Sequence, residues 1–141
     1  MTEAVLMVVN STYHRGGGHT VGAPDGGPGL PLTGWSTQHG DLRVAHFVGL
    51  HALQVLPVLA VLLHRYGGAL PQPIQIRMMR TAAVGYAGLV GLLAWQAERG
   101  LPLLHPDMAV IAVGTAGATL TIGAAYLLLR RATAPVVTRS P

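Results

Sequence analysis

Histidines are the residues of this sequence with the clearest chemical potential. The 141 residues include seven histidines, and imidazole is a common ligand of zinc, copper and haem iron. Two of them, His46 and His51, fall within the apolar run 44–63. An ionisable side chain at that depth in a membrane is costly unless it is paired or faces a cavity. The sequence therefore predicts that His46 and His51 serve either polar packing or ligand binding.

Spacing limits how these two histidines act together. Five residues on a helix correspond to about 140°, so His46 and His51 do not share a face, whereas His51 and Gln54 do. A metal site would therefore take one of the two histidines and complete its ligands from elsewhere. The predicted metal ligands are His46, His51 and His105, and further partners available near them are His19, His39 and Asp41.

Haem and quinone are the alternatives to a metal. Haem in membranes is usually held by two histidines on different helices, and the second and third apolar runs contain none, so a second ligand would come from another chain or an upstream segment. A quinone head group would fit a pocket beside Pro57, bounded by His51, Gln54 and Gln96. Without any ligand, His51 hydrogen-bonds within the helix bundle and His46 lies at the membrane interface.

Composition assigns the chain to the membrane proteins. Half of the residues are hydrophobic and 10% are charged, against about 25% charged in soluble domains. Cysteine is absent, which excludes disulfides and thiolate ligands. The isoelectric point is high, but the sequence has only one Phe, two Trp and four Tyr, so no aromatic, basic nucleic-acid interface is predicted. The sequence carries no HExxH or GxSxG motif, and we predict a non-enzymatic role.

Three apolar runs predict three transmembrane helices, over 44–63, 81–97 and 108–129. A helix of about 20 residues spans the roughly 30 Å hydrocarbon core of a bilayer. Asp41 and Asp107 stand where each would cap the following helix. Pro57 predicts a kink in the first helix, and the stretch 72–80 is predicted as a loop or a short interfacial segment. The fold class is an all-α integral membrane helical bundle.

Charge placement predicts the orientation of the bundle. Six of the nine basic residues lie on one side, and the acidic residues lie on the other; the six are Arg65, Arg77, Arg80, Arg130, Arg131 and Arg139. Because arginine-rich loops stay in the cytoplasm, the N-terminus is predicted outside and the tail 130–141 inside. The predicted location is a bacterial inner membrane.

Residues 1–43 are rich in glycine and proline and predict an extracytoplasmic arm, either an ordered loop or a flexible one. One interpretation of the apolar patch 4–9 is that it is the remnant of an upstream helix, in which case the chain would be a fragment of a longer protein. The run HTVGAPDGGPGLPLTGWSTQHGDLRVAHFVGLHALQ, 19–54, resembles a stretch of uncharacterised bacterial multi-pass membrane proteins. That resemblance implies further helices upstream, and it implies no activity and no functional residues.

Small residues recur at helical spacing in the second and third runs. They predict close packing between helices, within the bundle or against another copy or a longer protein. The residues are Ala83, Gly85, Ala87, Gly88 and Gly91 in the second run and Gly114 and Ala118 in the third.

Overall fold

The structure is a computed structural model that describes residues 18–68 and 70–133. It consists of two short strands and three long helices. In chain order they are β1 (Thr20–Val21), β2 (Gly40–Asp41), α1 (Leu42–Tyr66), α2 (Gln72–Glu98) and α3 (Met108–Thr133).

All three helices are long and apolar enough to cross a membrane, with mean hydropathies of 1.9, 1.2 and 1.7 over their most apolar windows. The predicted all-α fold with three membrane-spanning helices is confirmed. The two predicted caps are confirmed as well. Asp41 precedes α1 and accepts a hydrogen bond from the Arg43 backbone, and the Asp107 carboxylate accepts one from the Val110 backbone at 2.9 Å.

The second helix begins earlier than its apolar run indicates, at Gln72 rather than at position 81. The stretch 72–80 is therefore neither a loop nor a separate interfacial segment, but the first turns of α2. Pro73 suits this position, because the first turn of a helix has no partner for its N–H groups. The side-chain amide of Gln75 donates to the carbonyls of Gly67 and Leu70 and fastens the preceding loop to the helix.

The central helix α2 packs against both of its neighbours, whereas α1 and α3 make hardly any contact with each other. The Tyr86 hydroxyl joins α2 to α1 by donating to the Val48 carbonyl at 2.6 Å. Between α2 and α3, a Cβ on Gly85 would lie 2.6 Å from the Thr121 methyl group. The helices thus form an open layer in which α2 lies between α1 and α3.

Residues 18–41 fold over one end of this layer. β1 and β2 pair antiparallel, with Thr20 opposite Asp41, and both strands contact α2. Of the two alternatives for the arm, this part is an ordered loop, while 1–17, including the patch 4–9, lies outside the described residues. We call this end, together with the α2–α3 loop, the capped end. The opposite end, which holds the α1–α2 loop, is the basic end.

Candidate functional site

Asp41 is the centre of the hydrogen-bond network at the capped end. Its side chain is 2% exposed and accepts from the Ser36 backbone at 3.0 Å and from the Arg43 backbone at 3.0 Å. The Arg43 guanidinium donates to both carboxylate oxygens, at 2.6 Å to Oδ2, and also to the Gly34 carbonyl at 2.7 Å. One carboxylate therefore joins β2, the preceding loop and the first turn of α1.

His19 lies between two carboxylates in the same network. Its Nδ1 is 3.4 Å from Asp25 Oδ1 and 3.6 Å from Asp41 Oδ1. Asp25 also accepts from the Thr20 backbone at 2.9 Å, and the His19 carbonyl accepts from the Leu42 backbone at 2.9 Å. The strand β1 is thereby tied to the start of α1 through polar contacts.

Hydrogen bonds lower the pKa of both carboxyl groups in this network. Burial raises the pKa of Asp41, but the hydrogen bonds from Arg43 and Ser36 outweigh burial and hold that pKa below its ordinary value of 3.8. Burial likewise raises the pKa of Asp25, and the hydrogen bonds from Thr20 bring it below the ordinary value. Both carboxylates are therefore negatively charged at neutral pH.

The neighbouring α2–α3 loop is held by two further side chains. The buried Gln96 amide donates to the Pro102 carbonyl at 2.7 Å and the Leu103 carbonyl at 3.3 Å. The Arg99 guanidinium donates to Asp107 at 3.1 Å and also lies over the Trp95 ring. Gln96 thus holds the loop in place, and the small cavity beside it is lined without His51 or Gln54. A quinone pocket bounded by His51, Gln54 and Gln96 therefore stays a prediction.

His51 bonds within its own helix. Its Nδ1 lies 3.0 Å from the Phe47 carbonyl. Because a carbonyl only accepts, Nδ1 is the donor of this hydrogen bond. The ring contacts Phe47 at 4.2 Å between centroids, and Phe47 meets Trp35 edge-on at 5.6 Å. This contact agrees with the packing interpretation and leaves Nε2 available to a ligand, so the cofactor role of His51 stays a prediction.

The other predicted ligand residues do not form a cluster in the described part of the chain. His46 and Gln54 are exposed on α1, and His105 is exposed in the α2–α3 loop. Within 18–68 and 70–133, no group of three or more His, Asp or Glu side chains is arranged to hold a metal ion. A metal site at His46, His51 and His105 therefore stays a prediction that would need ligands from outside the described part of the chain.

Comparison with protein-family models, with curated proteins and with solved structures finds no match for this chain.

Sequence reasoning missed the largest part of the network at the capped end. Asp41 was predicted as a helix cap and as a possible metal partner, and its pairing with Arg43 was not foreseen. The signal available in the sequence was that Asp41 and Arg43 are only two residues apart. An Asp just before a helix and an Arg in its first turn can bond to each other as part of one helix cap.

Proposed function

We propose that this chain is a structural or accessory membrane module that assembles with other transmembrane helices, first of all those of a second copy. The observation that carries the proposal is Gln54. It is the central residue of α1, it is exposed, and its amide has no hydrogen-bond partner in the described parts of the chain.

An unpartnered amide at this depth is unfavourable. The middle of a bilayer offers no water to satisfy its donors and acceptor, and the residues around it on the exposed side of α1 are apolar, such as Leu50 and Leu53. An amide both donates and accepts. Two copies of Gln54 facing each other across a two-fold axis would therefore satisfy one another.

The open helix layer supports the same proposal. Since α1 and α3 hardly touch, a broad apolar surface is left uncovered on the layer. Gly88 and Gly91 of α2 are exposed, and a Cβ on either would meet no atom within 4 Å. Among the small residues predicted to pack between helices, Gly85 packs against α3. Gly88 and Gly91 instead leave room for a helix from outside the layer to approach α2 closely.

Replacing Gln54 tests the assembly. We expect Gln54→Leu to weaken self-association about tenfold, because an interhelical hydrogen bond in lipid contributes roughly 1–2 kcal/mol. Energy transfer between donor-labelled and acceptor-labelled chains in vesicles, titrated by lipid dilution, measures the association. Gln72→Leu makes the same chemical change at the end of a helix and should leave it unchanged. Equal energy transfer in wild type and Gln54→Leu would rule out assembly through this amide.

We also propose that the capped end faces the outside of a bacterial inner membrane. All acidic side chains of the described residues lie at the capped end, and five arginines lie at the basic end. Arginine-rich ends are retained in the cytoplasm. The region that resembles longer bacterial multi-pass membrane proteins, 19–54, covers nearly all of residues 18–41, which form the capping loop, and the first half of α1. We propose that such proteins share this arrangement.

Cysteine labelling tests the orientation without interference, because the chain has no cysteine. Gln38→Cys lies in the exposed loop at the capped end, and Gly68→Cys lies in the exposed loop at the basic end. We expect an impermeant maleimide to label the first in intact cells and the second only after the membrane is opened. The reverse pattern would invert the proposed orientation, and labelling of both in intact cells would contradict the three-span arrangement.

A further inference from the structure

The basic end carries two arginines that lie well inside the length of α2. Arg80 is eight residues from the start of the helix at Gln72, which at 1.5 Å per residue is about 12 Å along its axis. Arg77 lies one turn nearer the end. The two side chains are three residues apart and share a face of α2, and both are exposed.

The packing of the helices shows the depth of these arginines. Gly85 of α2 faces Thr121 of α3. Five residues further toward the basic end lie Arg80 on α2 and Tyr126 on α3, so Arg80 is level with the part of α3 that precedes its basic last turn. The contact of Gly49 on α1 with Val90 on α2 leads to the same conclusion. Ten residues from this contact toward the basic end, Arg80 is level with the apolar residues of α1 that follow Pro57.

No carboxylate of the described residues is available to pair with these arginines. The described acids are all at the capped end, and each ion pair that the structure shows lies there too. A guanidinium at the depth of an apolar helix segment is costly unless it reaches an anion or the interface. An anion that pairs with these arginines would therefore come from outside the described chain.

We propose that Arg77 and Arg80 bind the phosphate of an anionic phospholipid. The planar guanidinium matches the oxygens of a phosphate with paired hydrogen bonds, and a long arginine side chain extends from an apolar helix segment toward the lipid head groups. A hollow on α1 at the same end is lined by Ala60 and Val61 and then by His64 and Arg65. Apolar lining residues followed by basic ones suit a lipid whose acyl chain lies below its anionic head group.

Lipid selectivity tests the site. The full chain is reconstituted in phosphatidylcholine with a trace of spin-labelled phosphatidylglycerol or spin-labelled phosphatidylcholine, and the motionally restricted fraction is measured by electron paramagnetic resonance. We expect the wild type to prefer phosphatidylglycerol by about threefold or more. The double variant Arg77→Gln, Arg80→Gln should lower this preference to about one.

Two controls separate the site from charge and from folding. Arg99→Gln removes one positive charge at the capped end and should keep the preference, and Arg77→Lys, Arg80→Lys should keep part of it, because the charges remain while the paired geometry is lost. Circular dichroism confirms that each variant retains its helices. Equal restriction of both lipids by the wild type would overturn the proposal, as would an unchanged preference in the double Gln variant or an equal loss in Arg99→Gln.

Discussion

Asp41→Asn is expected to lower the free energy of unfolding by about 2–4 kcal/mol, the cost of breaking a buried, charge-assisted network. The neutral amide keeps one acceptor oxygen and turns an NH₂ group toward the Arg43 guanidinium or the Ser36 backbone. Either choice places two donors against each other and leaves the positive charge of Arg43 without its partner. Unfolding in mixed detergent micelles, followed by circular dichroism, measures the difference.

Asp25→Asn is the matched control for this prediction. Asp25 is part of the same network, but its side chain is more exposed than that of Asp41, and the backbone groups of His19 and Thr20 bond to a single oxygen, Oδ1. An asparagine keeps that oxygen, so we expect a loss of at most about 1 kcal/mol. Equal losses in the two variants would show that Asp41 is not the centre of the network.

The pH dependence of the same variants gives an independent check. Since the folded pKa of Asp41 lies below its ordinary value of 3.8, its contribution to stability is fully present above that value. It is lost as the pH falls through the folded pKa, because protonation is then more costly in the folded than in the unfolded chain. We expect the wild type to lose stability below about pH 3.8 more steeply than Asp41→Asn.

Gly40→Ala is expected to displace the capping loop from α2 at a cost of about 2–3 kcal/mol. A Cβ on Gly40 would overlap the Ala97 carbonyl oxygen and would lie 2.7 Å from the carbonyl carbon and 2.9 Å from the Cα. All of these are backbone atoms, so no side chain can rotate aside to make room. β2 would have to move away from the end of α2 and carry Asp41 with it.

Amide hydrogen exchange locates the effect of this substitution. The backbone N–H of Leu42 bonds to the His19 carbonyl and should exchange faster in Gly40→Ala. The amides in the middle of α2 should remain protected from exchange. Gly27→Ala is the matched control, because a Cβ there meets no atom within 4 Å, and it should leave stability nearly unchanged. Unchanged exchange at Leu42 in Gly40→Ala would contradict a close contact between β2 and α2.

The two substitutions bear on one structural question, which is how the capped end is held together. Asp41 joins the loop to α1 through hydrogen bonds, and Gly40, its neighbour, lets the same strand rest on α2. Losing either residue is therefore expected to open the same contact between the capping loop and the helix layer, while the membrane-spanning helices remain formed.

The sequence by itself determined the local features of this protein. Three apolar runs were enough to predict three helices, because crossing a bilayer requires about 20 apolar residues regardless of what packs beside them. The caps at Asp41 and Asp107 were predictable for the same reason, since a cap depends on a few adjacent residues. The start of α2 was missed because 72–80 is polar enough to lower the hydropathy, although its backbone continues the helix.

Only the tertiary structure decided which distant residues meet. Gly85, Gly88 and Gly91 are alike in sequence, yet only Gly85 faces Thr121, because helix register selects one of them. The depth of Arg80 likewise follows from the packing of α2 against α3, and the proximity of Gly40 to Ala97 follows from where the capping loop lies. These facts depend on contacts between residues far apart in the chain, and hydropathy and spacing along one helix carry no information about them.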